Sequence, residues 1–544
     1  MPRLLLGPLL RYVDATRATV WVETDAPCTV DVLGHEAPTF RVCGRHYAIV
    51  AVDGLEPDST TPYEVRLDGE RAWPIDGWAF PPSVIRTAGD DRERLRIAFG
   101  SCRCAVPHVP PWTQTKDADP KGREVDALYA LALRMRAAPP EEWPDLLLMI
   151  GDQVYADEDA PETRAFIRSR RDTTQPPGEH VEDFEEYAHL YHETWGEPAL
   201  RWLLSTVPTW MLFDDHDVHD DWNTSRAWVR DMREKDWWEP HIAAALASYW
   251  VYQHLGNLSP EELEASSVLE RVRTAGDGGE ELHRWALHAD DETDGSRWSF
   301  FRDVGRTRLV MLDSREGREL EPAERRMTDE HEWAWVEEHA TGGVDHLLLV
   351  DTLPVFFSPA FHEAEAWSEA VCAGAWGSLA ARGCEKLRRA FDLEHWGAFR
   401  RSFVDMCGLV KAVAGGERGA PPASIVLLGG DVHHAYLARV DAGGESAVWQ
   451  AVCSPFRNPL SHKEQRQARL GFSRAIARIA RPIARAAGVP PAPLDWEVEA
   501  GPYFDNQVAT VEIDGRSARL RIERTTDGGW RAPRLTTSLE RALV

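Results

Sequence analysis

Ionisable side chains follow short apolar segments repeatedly along this 544-residue sequence. The apolar segments are 95–99, 146–150, 210–213, 309–312, 347–350 and 425–428. Within three residues of their ends stand Cys102, Asp152, Asp214, Asp215, Asp313, Asp351 and Asp431, with His216, His433 and His434 close by. One aspartate after a strand is an ordinary turn or helix-cap residue. A repeated pattern with adjacent histidines calls for a further, chemical explanation.

These residue types favour metal binding. Carboxylates that are brought together repel one another unless a cation neutralises them. Aspartate and histidine with few thiolates form a donor set suited to hard or borderline metal ions. Because ligands of open α/β sheets bind where the strands end, we predict a metal site at that edge.

The apolar segments predict strands that are covered on both faces, as in a layered α/β fold. Helices are expected between them, and eight tryptophans lie between Trp195 and Trp250. This pattern favours a packed helical subdomain, and we predict that residues 226–255 also cover the mouth of the site. Residues 507–513 and 518–523 flank Asp514-Gly515, which predicts a hairpin.

Residues 1–90 predict a separate all-β region, because short β-branched and aromatic segments alternate with turn clusters. The segment 54–67, with Tyr63, resembles the tyrosine corner of fibronectin-type sandwiches, whose hydroxyl bonds to nearby backbone. Gly7 and Pro8 interrupt the N-terminal apolar run, which continues into the alternating segment 18–24. We therefore interpret the N-terminus as part of the fold and expect no signal peptide.

Five motifs stand at the ends of the apolar segments, in one order along residues 94–440. They are Phe99-Gly100-Ser101-Cys102, Gly151-Asp152-Gln153-Val154-Tyr155, Asp214-Asp215-His216-Asp217, Leu312-Asp313-Ser314-Arg315 and Gly430-Asp431-Val432-His433. This ordered set resembles the alkaline phosphatase D (PhoD-like) family of metallophosphatases, and residues 392–400, with Trp396, resemble a further block of that family.

The resemblance implies a mixed α/β (α+β) fold with two parts. An N-terminal β-sandwich over residues 1–90 would precede a calcineurin-like four-layer αββα metallophosphatase core over 94–544. Within the second part we expect a tryptophan-rich helical insertion at about 181–260, and a basic helix and hairpin at the C-terminus.

The resemblance also implies a centre with one Fe³⁺ ion and Ca²⁺ ions, although other divalent metals remain open. By position, the Cys102 thiolate and the Tyr155 phenolate would bind Fe³⁺, and Asp152 would bridge metals. Asp215, Asp431 and His433 would complete the cluster. A trivalent ion stabilises thiolate and phenolate, whereas Ca²⁺ prefers oxygen ligands.

Two further residues have expected catalytic roles. His216 is the candidate general acid or electrophilic contact to the leaving oxygen. Arg315 is a candidate phosphate clamp, because its planar guanidinium suits phosphate oxygens. The alternative for Arg315 is a salt bridge to Asp313 or Asp217.

The first functional hypothesis is a metal-dependent phosphoesterase that hydrolyses small-molecule phosphate mono- or diesters with metal-activated water. The second is another metallohydrolase on the same core; Arg315 and Arg103 should face the metals if phosphate is the ligand. The third is a non-catalytic binding protein with a structural metal cluster.

Charge and composition limit the other partners. The formal net charge is −28, from 61 basic and 89 acidic residues. This acidity argues against nucleic acid and against general adhesion to anionic membranes. No apolar run reaches the length of a membrane span, and the eight cysteines have no regular spacing. We predict a cytoplasmic protein without a disulfide framework.

Residues 462–486 depart from the acidic background. Phe472, Ile476, Ile479 and Ile483 fall at helical spacing, and Arg474, Arg478, Arg481 and Arg485 form a second stripe. One interpretation is a surface helix that docks on the acidic body. The other is a contact with a membrane surface or an anionic substrate.

Overall fold

The structure is a computed structural model that describes residues 1–89, 92–158, 160–292, 296–322, 324–525 and 529–544. The expected domain boundary at residue 90 lies outside the described residues.

The N-terminal region consists of β-strands. They are β1 (Leu4–Val13), β2 (Ala18–Thr24), β3 (Thr29–Val32), β4 (His35–Pro38), β5 (Phe40–Val42), β6 (Arg45–Val52), β7 (Thr60–Pro62), β8 (Val65–Leu67), β9 (Glu70–Trp73) and β10 (Val84–Arg86). One sheet has the order β1-β2-β6-β5 and a second has the order β4-β3-β8-β9, while β7 pairs with β10. Val20 and Val50 of the first sheet share a buried core with Val30 and Val65 of the second. The N-terminal β-sheets predicted from the sequence are confirmed.

The strands of the larger region form two sheets. They are β11 (Arg94–Gly100), β12 (Leu146–Ile150), β13 (Thr209–Leu212), β14 (Phe300–Val304), β15 (Thr307–Met311), β16 (His346–Val350), β17 (Ser424–Gly429), β18 (Ala435–Asp441), β19 (Ala447–Val452), β20 (Asp495–Tyr503), β21 (Gln507–Asp514), β22 (Ser517–Thr525) and β23 (Leu535–Ala542). The six-stranded sheet has the order β13-β12-β11-β21-β22-β23, and the seven-stranded sheet has the order β14-β15-β16-β17-β19-β18-β20.

The two large sheets pack face to face. One buried cluster contains Ile97 and Leu148 from the six-stranded sheet and Leu348 and Leu428 from the seven-stranded sheet. Each of the apolar segments predicted to be a buried strand is a strand here. Such strands must be apolar along their whole length because neither face meets water.

Helices cover the outer faces of both sheets. They are α1 (Ala127–Ala137), α2 (Pro161–Arg170), α3 (Phe184–Trp195), α4 (Pro198–Thr206), α5 (Arg226–Arg233), α6 (Trp238–Tyr249), α7 (Leu255–Asn257), α8 (Pro260–Ala265), α9 (Ser267–Thr274), α10 (Gly279–Asp291), α11 (Glu330–His339), α12 (Pro359–Cys372), α13 (Ser378–Ala390), α14 (Arg400–Ala414), α15 (His462–Gly471) and α16 (Arg474–Ala486). Helices α1, α3 and α6 share a core with the six-stranded sheet, and α11 and α14 pack on the seven-stranded sheet. The layers therefore follow the predicted order αββα. Within the described residues, no helix is both long and apolar enough to cross a bilayer.

The predicted C-terminal hairpin is part of the core. Strands β21 and β22 pair antiparallel from Gln507↔Arg524 to Asp514↔Ser517, and β21 pairs with the central strand β11. The chain end thus completes the six-stranded sheet.

The N-terminal sandwich and the larger region share buried contacts. The Tyr63 hydroxyl donates to the main-chain oxygen of Ser205 at 2.6 Å, so the expected bond to nearby backbone is wrong. Arg11 is fully buried and donates to the main-chain oxygens of Thr209 at 2.9 Å and Gln253 at 2.7 Å. These bonds join the sandwich to the sheet that carries part of the site.

Candidate metal centre

The ends of strands from both large sheets meet at one edge of the core. The main-chain N–H of Cys102, after β11, donates to Gly151 O at 3.2 Å, after β12. The main-chain N–H of Asp431, after β17, donates to Ser101 Oγ at 2.9 Å. Loops of separate sheets are thereby held together, and their side chains converge.

Four residues at this edge have left-handed backbone conformations. The φ angles are 58° at Cys102, 51° at Asp152, 63° at Asp431 and 53° at His433. Residues with a Cβ rarely adopt such angles, and each costs about 1–3 kcal/mol. Four of the six residues predicted to bind metal therefore carry backbone strain.

The structure brings donor atoms together in three groups. In each group the donor atoms lie within 4.8 Å of one another. The groups are Cys102, Asp152 and His433; Asp152, Asp215 and His216; and Asp214, Asp215 and Asp431. Because Asp152 and Asp215 each belong to two groups, the groups form one continuous cluster.

Two buried carboxylate oxygens of the cluster lack hydrogen bonds, which suits the binding of a cation. Oδ1 of Asp152 and Oδ1 of Asp215 are buried and accept no hydrogen bond within the described residues, and Arg315 Nη2 lies 3.3 Å from the Asp215 oxygen. A buried carboxylate oxygen without a partner is costly. Burial raises the pKa of Asp152 well above its ordinary value, and neighbouring carboxylates raise it further. A metal ion would supply the missing positive charge.

Cys102 and Tyr155 lie on one side of the cluster. The Tyr155 hydroxyl donates to Asp152 Oδ2 at 3.1 Å, and the Cys102 Sγ lies 3.4 Å from the main-chain oxygen of Asp431. Burial raises the pKa of the Cys102 thiol and that of the Tyr155 hydroxyl well above their ordinary values. The charge of Asp152 raises both pKa values further. Their anionic forms therefore need a strong cation beside them.

The two histidines of the cluster are oriented by their Nδ1 atoms. His433 Nδ1 lies 2.6 Å from the main-chain oxygen of Asn458, so it carries the proton and leaves Nε2 as the ligand atom. His216 Nδ1 lies 2.8 Å from Asp157 Oδ1. Asp157 is an orienting residue that the sequence analysis missed.

Neither arginine considered as a phosphate clamp is free. Arg315 is fully buried; its guanidinium bonds to Asp214 and, at 2.8 Å, to Glu394. The alternative expectation was a salt bridge from Arg315 to Asp313 or Asp217. The Arg315 side chain makes neither. Arg103 pairs with Asp126 at 2.8 Å. Both guanidiniums are held by acidic side chains of the core.

Two of the aspartates that follow strands have structural roles. Asp313 accepts main-chain N–H bonds from Arg315 at 2.8 Å and Glu316 at 3.2 Å. Asp351 accepts from Ser314 Oγ at 2.5 Å and Trp396 Nε1 at 2.6 Å. Their oxygens are occupied, and neither residue belongs to a donor group.

A histidine outside the predicted set supports the cluster. His395 Nε2 lies 3.2 Å from Asp431 Oδ2, and its Nδ1 lies 2.6 Å from Glu365 Oε1. Burial lowers the pKa of His395, but Glu365 and Asp431 outweigh it and raise the pKa to about 10. His395 lies inside the block 392–400 noted in the sequence, which was the signal for it.

A pocket of about 250 Å³ opens onto the cluster. One wall carries Asp215, His216 and Asp431, and another carries Phe357 and Phe361. Within the described residues, none of its lining comes from 226–255. The prediction that those helices cover the mouth is wrong, because Trp228, Trp238 and Trp250 are buried in the core beside the six-stranded sheet.

Comparison with protein families finds a match within the larger region. Residues 128–343 match the model described as PhoD-like phosphatase. This segment is therefore similar to the PhoD-like phosphatases. The matched range includes Asp152, Tyr155 and Asp215, whereas Cys102 and Asp431 lie outside it. Residues 1–85 match a domain of unknown function (DUF7800), and no curated protein sequence matches the chain.

Two solved structures are similar to the chain to different degrees. A structure described as "Structure of PhoD" is 12% identical, with 99% of this chain and 92% of that chain covered and a TM-score of 0.57. Purple acid phosphatase PPD1 from yellow lupin (Lupinus luteus) seeds is 10% identical, with 99% and 74% covered and a TM-score of 0.44. The likeness to the first of these structures confirms the predicted mixed α/β fold.

Proposed function

We propose that this protein is a metal-dependent phosphoesterase that hydrolyses phosphate mono- or diesters with water. The single observation that supports this most strongly is the continuous cluster of donor groups that share Asp152 and Asp215. Two carboxylates that each belong to two groups suit a centre with more than one ion. The match of residues 128–343 to a phosphatase family supports phosphate-ester hydrolysis as the reaction class.

Donor chemistry divides the cluster. Cys102 and Tyr155 would bind Fe³⁺, and Asp152, which shares donor groups with Cys102 and with Asp215, would bind beside them. Asp215, Asp431 and His433 complete the set, and Asp214 joins it through its donor group with Asp215 and Asp431. When bound, the ions polarise phosphoryl oxygens and lower the pKa of a water molecule.

The protein's own side chains orient the substrate and move the proton. His216, held through Nδ1 by Asp157, lines the pocket and would give its Nε2 proton to the leaving oxygen. Phe357 and Phe361 form an apolar wall for the alcohol part of the ester. His395 holds Asp431 in place through its 3.2 Å contact.

The test combines metal content with hydrolysis. Purified protein is analysed for metals and assayed on p-nitrophenyl phosphate and bis(p-nitrophenyl) phosphate before and after chelation. Asp152→Asn and Asp215→Asn should lose metal and at least about 100-fold of activity. Asp351→Asn neutralises another buried aspartate after a strand but should keep its metal. A fully metallated protein without turnover on either ester would contradict the proposal.

A second candidate is a metallohydrolase that acts on a carboxyl ester or an amide. The observation that favours it is the engagement of Arg315 by Asp214 and Glu394 and of Arg103 by Asp126. Phosphate recognition would then depend on the metal ions alone. Hydrolysis of aryl acetates or anilides by a metallated protein that is inactive on phosphoesters would select this candidate.

A further inference from the structure

Helices α15 and α16 carry a charge opposite to that of the rest of the chain. Residues 462–486 contain one acidic residue, Glu464, against a net charge of −28 for the whole protein. Their basic residues are Lys463, Arg466, Arg469, Arg474, Arg478, Arg481 and Arg485. A local field of this sign attracts anions even though the whole protein is acidic.

The apolar stripe of α16 faces outward. Ile476, Ile479 and Ile483 are 38%, 66% and 44% exposed, whereas Ala477 and Ala484 are buried. The helix docks on the body, as the first interpretation expected, but Ala477 and Ala484 make the buried contact and the isoleucines do not. Small alanine side chains pack against the rest of the protein, and the three isoleucine side chains are exposed to solvent.

Two of the arginines hold the helix to the body, and two do not. Arg474 pairs with Glu497, and Arg481 pairs with Glu363 at 2.9 Å. Arg478 and Arg485 make no ion pair within 4.0 Å among the described residues. They lie seven residues apart, which is about two helical turns, so they point in the same direction.

The start of α13 extends this surface. The Trp376 Nε1 atom donates to the main-chain oxygen of Ala486 at 3.3 Å, and Trp376 and Leu379 are 45% and 81% exposed. This bond places Trp376 at the C-terminal end of α16, and exposed apolar side chains grouped in one region mark an interaction surface. We name Trp376, Leu379, Ile476, Ile479 and Ile483, with Arg478 and Arg485, the basic–apolar surface.

We propose that the basic–apolar surface docks the protein onto an anionic lipid membrane. Arg478 and Arg485 would meet headgroup phosphates, while the isoleucines enter the boundary between headgroups and acyl chains. Nucleic acid would use the arginines but offers no apolar layer for three aliphatic side chains. Repulsion between the acidic remainder and the membrane would leave this face as the one that approaches.

The segment that precedes α16 reaches the pocket of the metal centre. Leu460, before α15, and Ala468, on α15, line that pocket together with Phe361 of α12. The docking itself is independent of the proposed phosphoesterase activity, since it needs no metal and no turnover.

Vesicle co-sedimentation of the full-length protein tests the docking. The probes are phosphatidylcholine vesicles with and without about 30% phosphatidylglycerol, at low salt and at about 0.5 M salt. We expect binding to the anionic vesicles alone, and its loss at high salt. Arg478→Gln/Arg485→Gln should weaken it by roughly 30-fold, the factor for two cations at a membrane surface.

The matched control removes two exposed arginines from helices elsewhere. Arg271→Gln/Arg284→Gln, on α9 and α10, should bind as the wild type does. Ile479→Ser/Ile483→Ser should weaken binding without a change in net charge. All variants should hydrolyse a soluble aryl phosphate as the wild type does, so a failed vesicle experiment stays distinct from a failed phosphoesterase. Absence of sedimentation, equal loss in the α9–α10 control, or Arg478- and Arg485-dependent binding to DNA without vesicle binding would overturn the proposal.

Discussion

The hydroxyl of Tyr155 donates a 3.1 Å hydrogen bond to Oδ2 of Asp152, whose other oxygen is buried without a partner. Both residues come from the single turn after β12, yet they face donors from β11, β13 and β17. This relationship makes Tyr155 the residue that best reports which ion is bound. A phenolate on Fe³⁺ absorbs visible light, whereas a phenolate on Zn²⁺ does not.

Tyr155→Phe should abolish a visible absorption band while the protein stays folded. The phenolate is the donor that the proposed iron site needs for charge transfer, and Phe fills the same space. Visible spectroscopy with elemental analysis checks this. Tyr187→Phe, a buried tyrosine whose hydroxyl lies 3.4 Å from Val218 O, is the control and should keep the band. Zinc or manganese without a band in the wild type would rule out the iron assignment.

Arg315→Met should lower the free energy of unfolding by about 3–5 kcal/mol, because it leaves buried Asp214 without its cation and Glu394 with Arg318 alone. Urea denaturation measures this. Arg519→Met breaks an exposed pair with Glu540 and should change stability by less than about 1 kcal/mol. An Arg315→Met protein of unchanged stability but raised KM for phosphoesters would instead make Arg315 a substrate contact.

His395→Gln should weaken metal binding by roughly 10–100-fold, because Asp431 loses the residue that orients it. Glu365→Gln should act in the same direction through the 2.6 Å bond to His395. Metal titration followed by elemental analysis provides the measurement. His331→Gln, on an exposed position of α11, is the control. Equal metal affinity in His395→Gln and the control would remove the positioning role.

The stability should depend on pH through Glu332. Burial, and then the charge of Asp313, raise the pKa of Glu332 from 4.5 to about 8. The folded protein therefore binds a proton that the unfolded chain releases between these values. This contribution to stability is complete below pH 4.5 and is lost as the pH rises to about 8, on the order of 1 kcal/mol per pH unit.

Glu332→Gln should remove this dependence. Urea denaturation at about pH 5 and about pH 8.5 should find the variant stabilised relative to wild type at the higher pH only. Glu330→Gln, on an exposed neighbouring position of α11, should change the free energy of unfolding by the same amount at both pH values. A Glu332→Gln protein that follows the wild-type pH profile would show that Glu332 titrates normally.

Arg11→Met should lower the free energy of unfolding by about 3 kcal/mol, because the oxygens of Thr209, Tyr252 and Gln253 lose a buried donor. It should also speed proteolysis at the junction between the sandwich and the larger region. Urea denaturation and limited trypsin digestion check these results. Arg3→Met, at an exposed pair with Asp25, is the control. Identical digestion of both variants would mean that Arg11 does not join the two regions.

Much of the site follows from sequence because its signals are local. A strand covered on both faces must be apolar throughout, so 146–150 and 425–428 could be identified without partners. Each donor stands at a strand end, so Asp152, Asp215 and Asp431 could be expected at one edge. The sequence could not predict that these donors form three groups with residues in common. That arrangement depends on how two separate sheets face each other.

The sequence by itself determined the layered strands, the metal-type donors and the amphipathic helix at 474–486. Tertiary structure decided which acids share a centre: Asp214 and Asp431 meet there, whereas Asp351 is satisfied by Ser314 and Trp396. It also decided that Ile479 faces water. Periodicity gives the angle between residues on one element. Burial and ion pairing depend on which other elements pack against that element, and this is decided only in the folded chain.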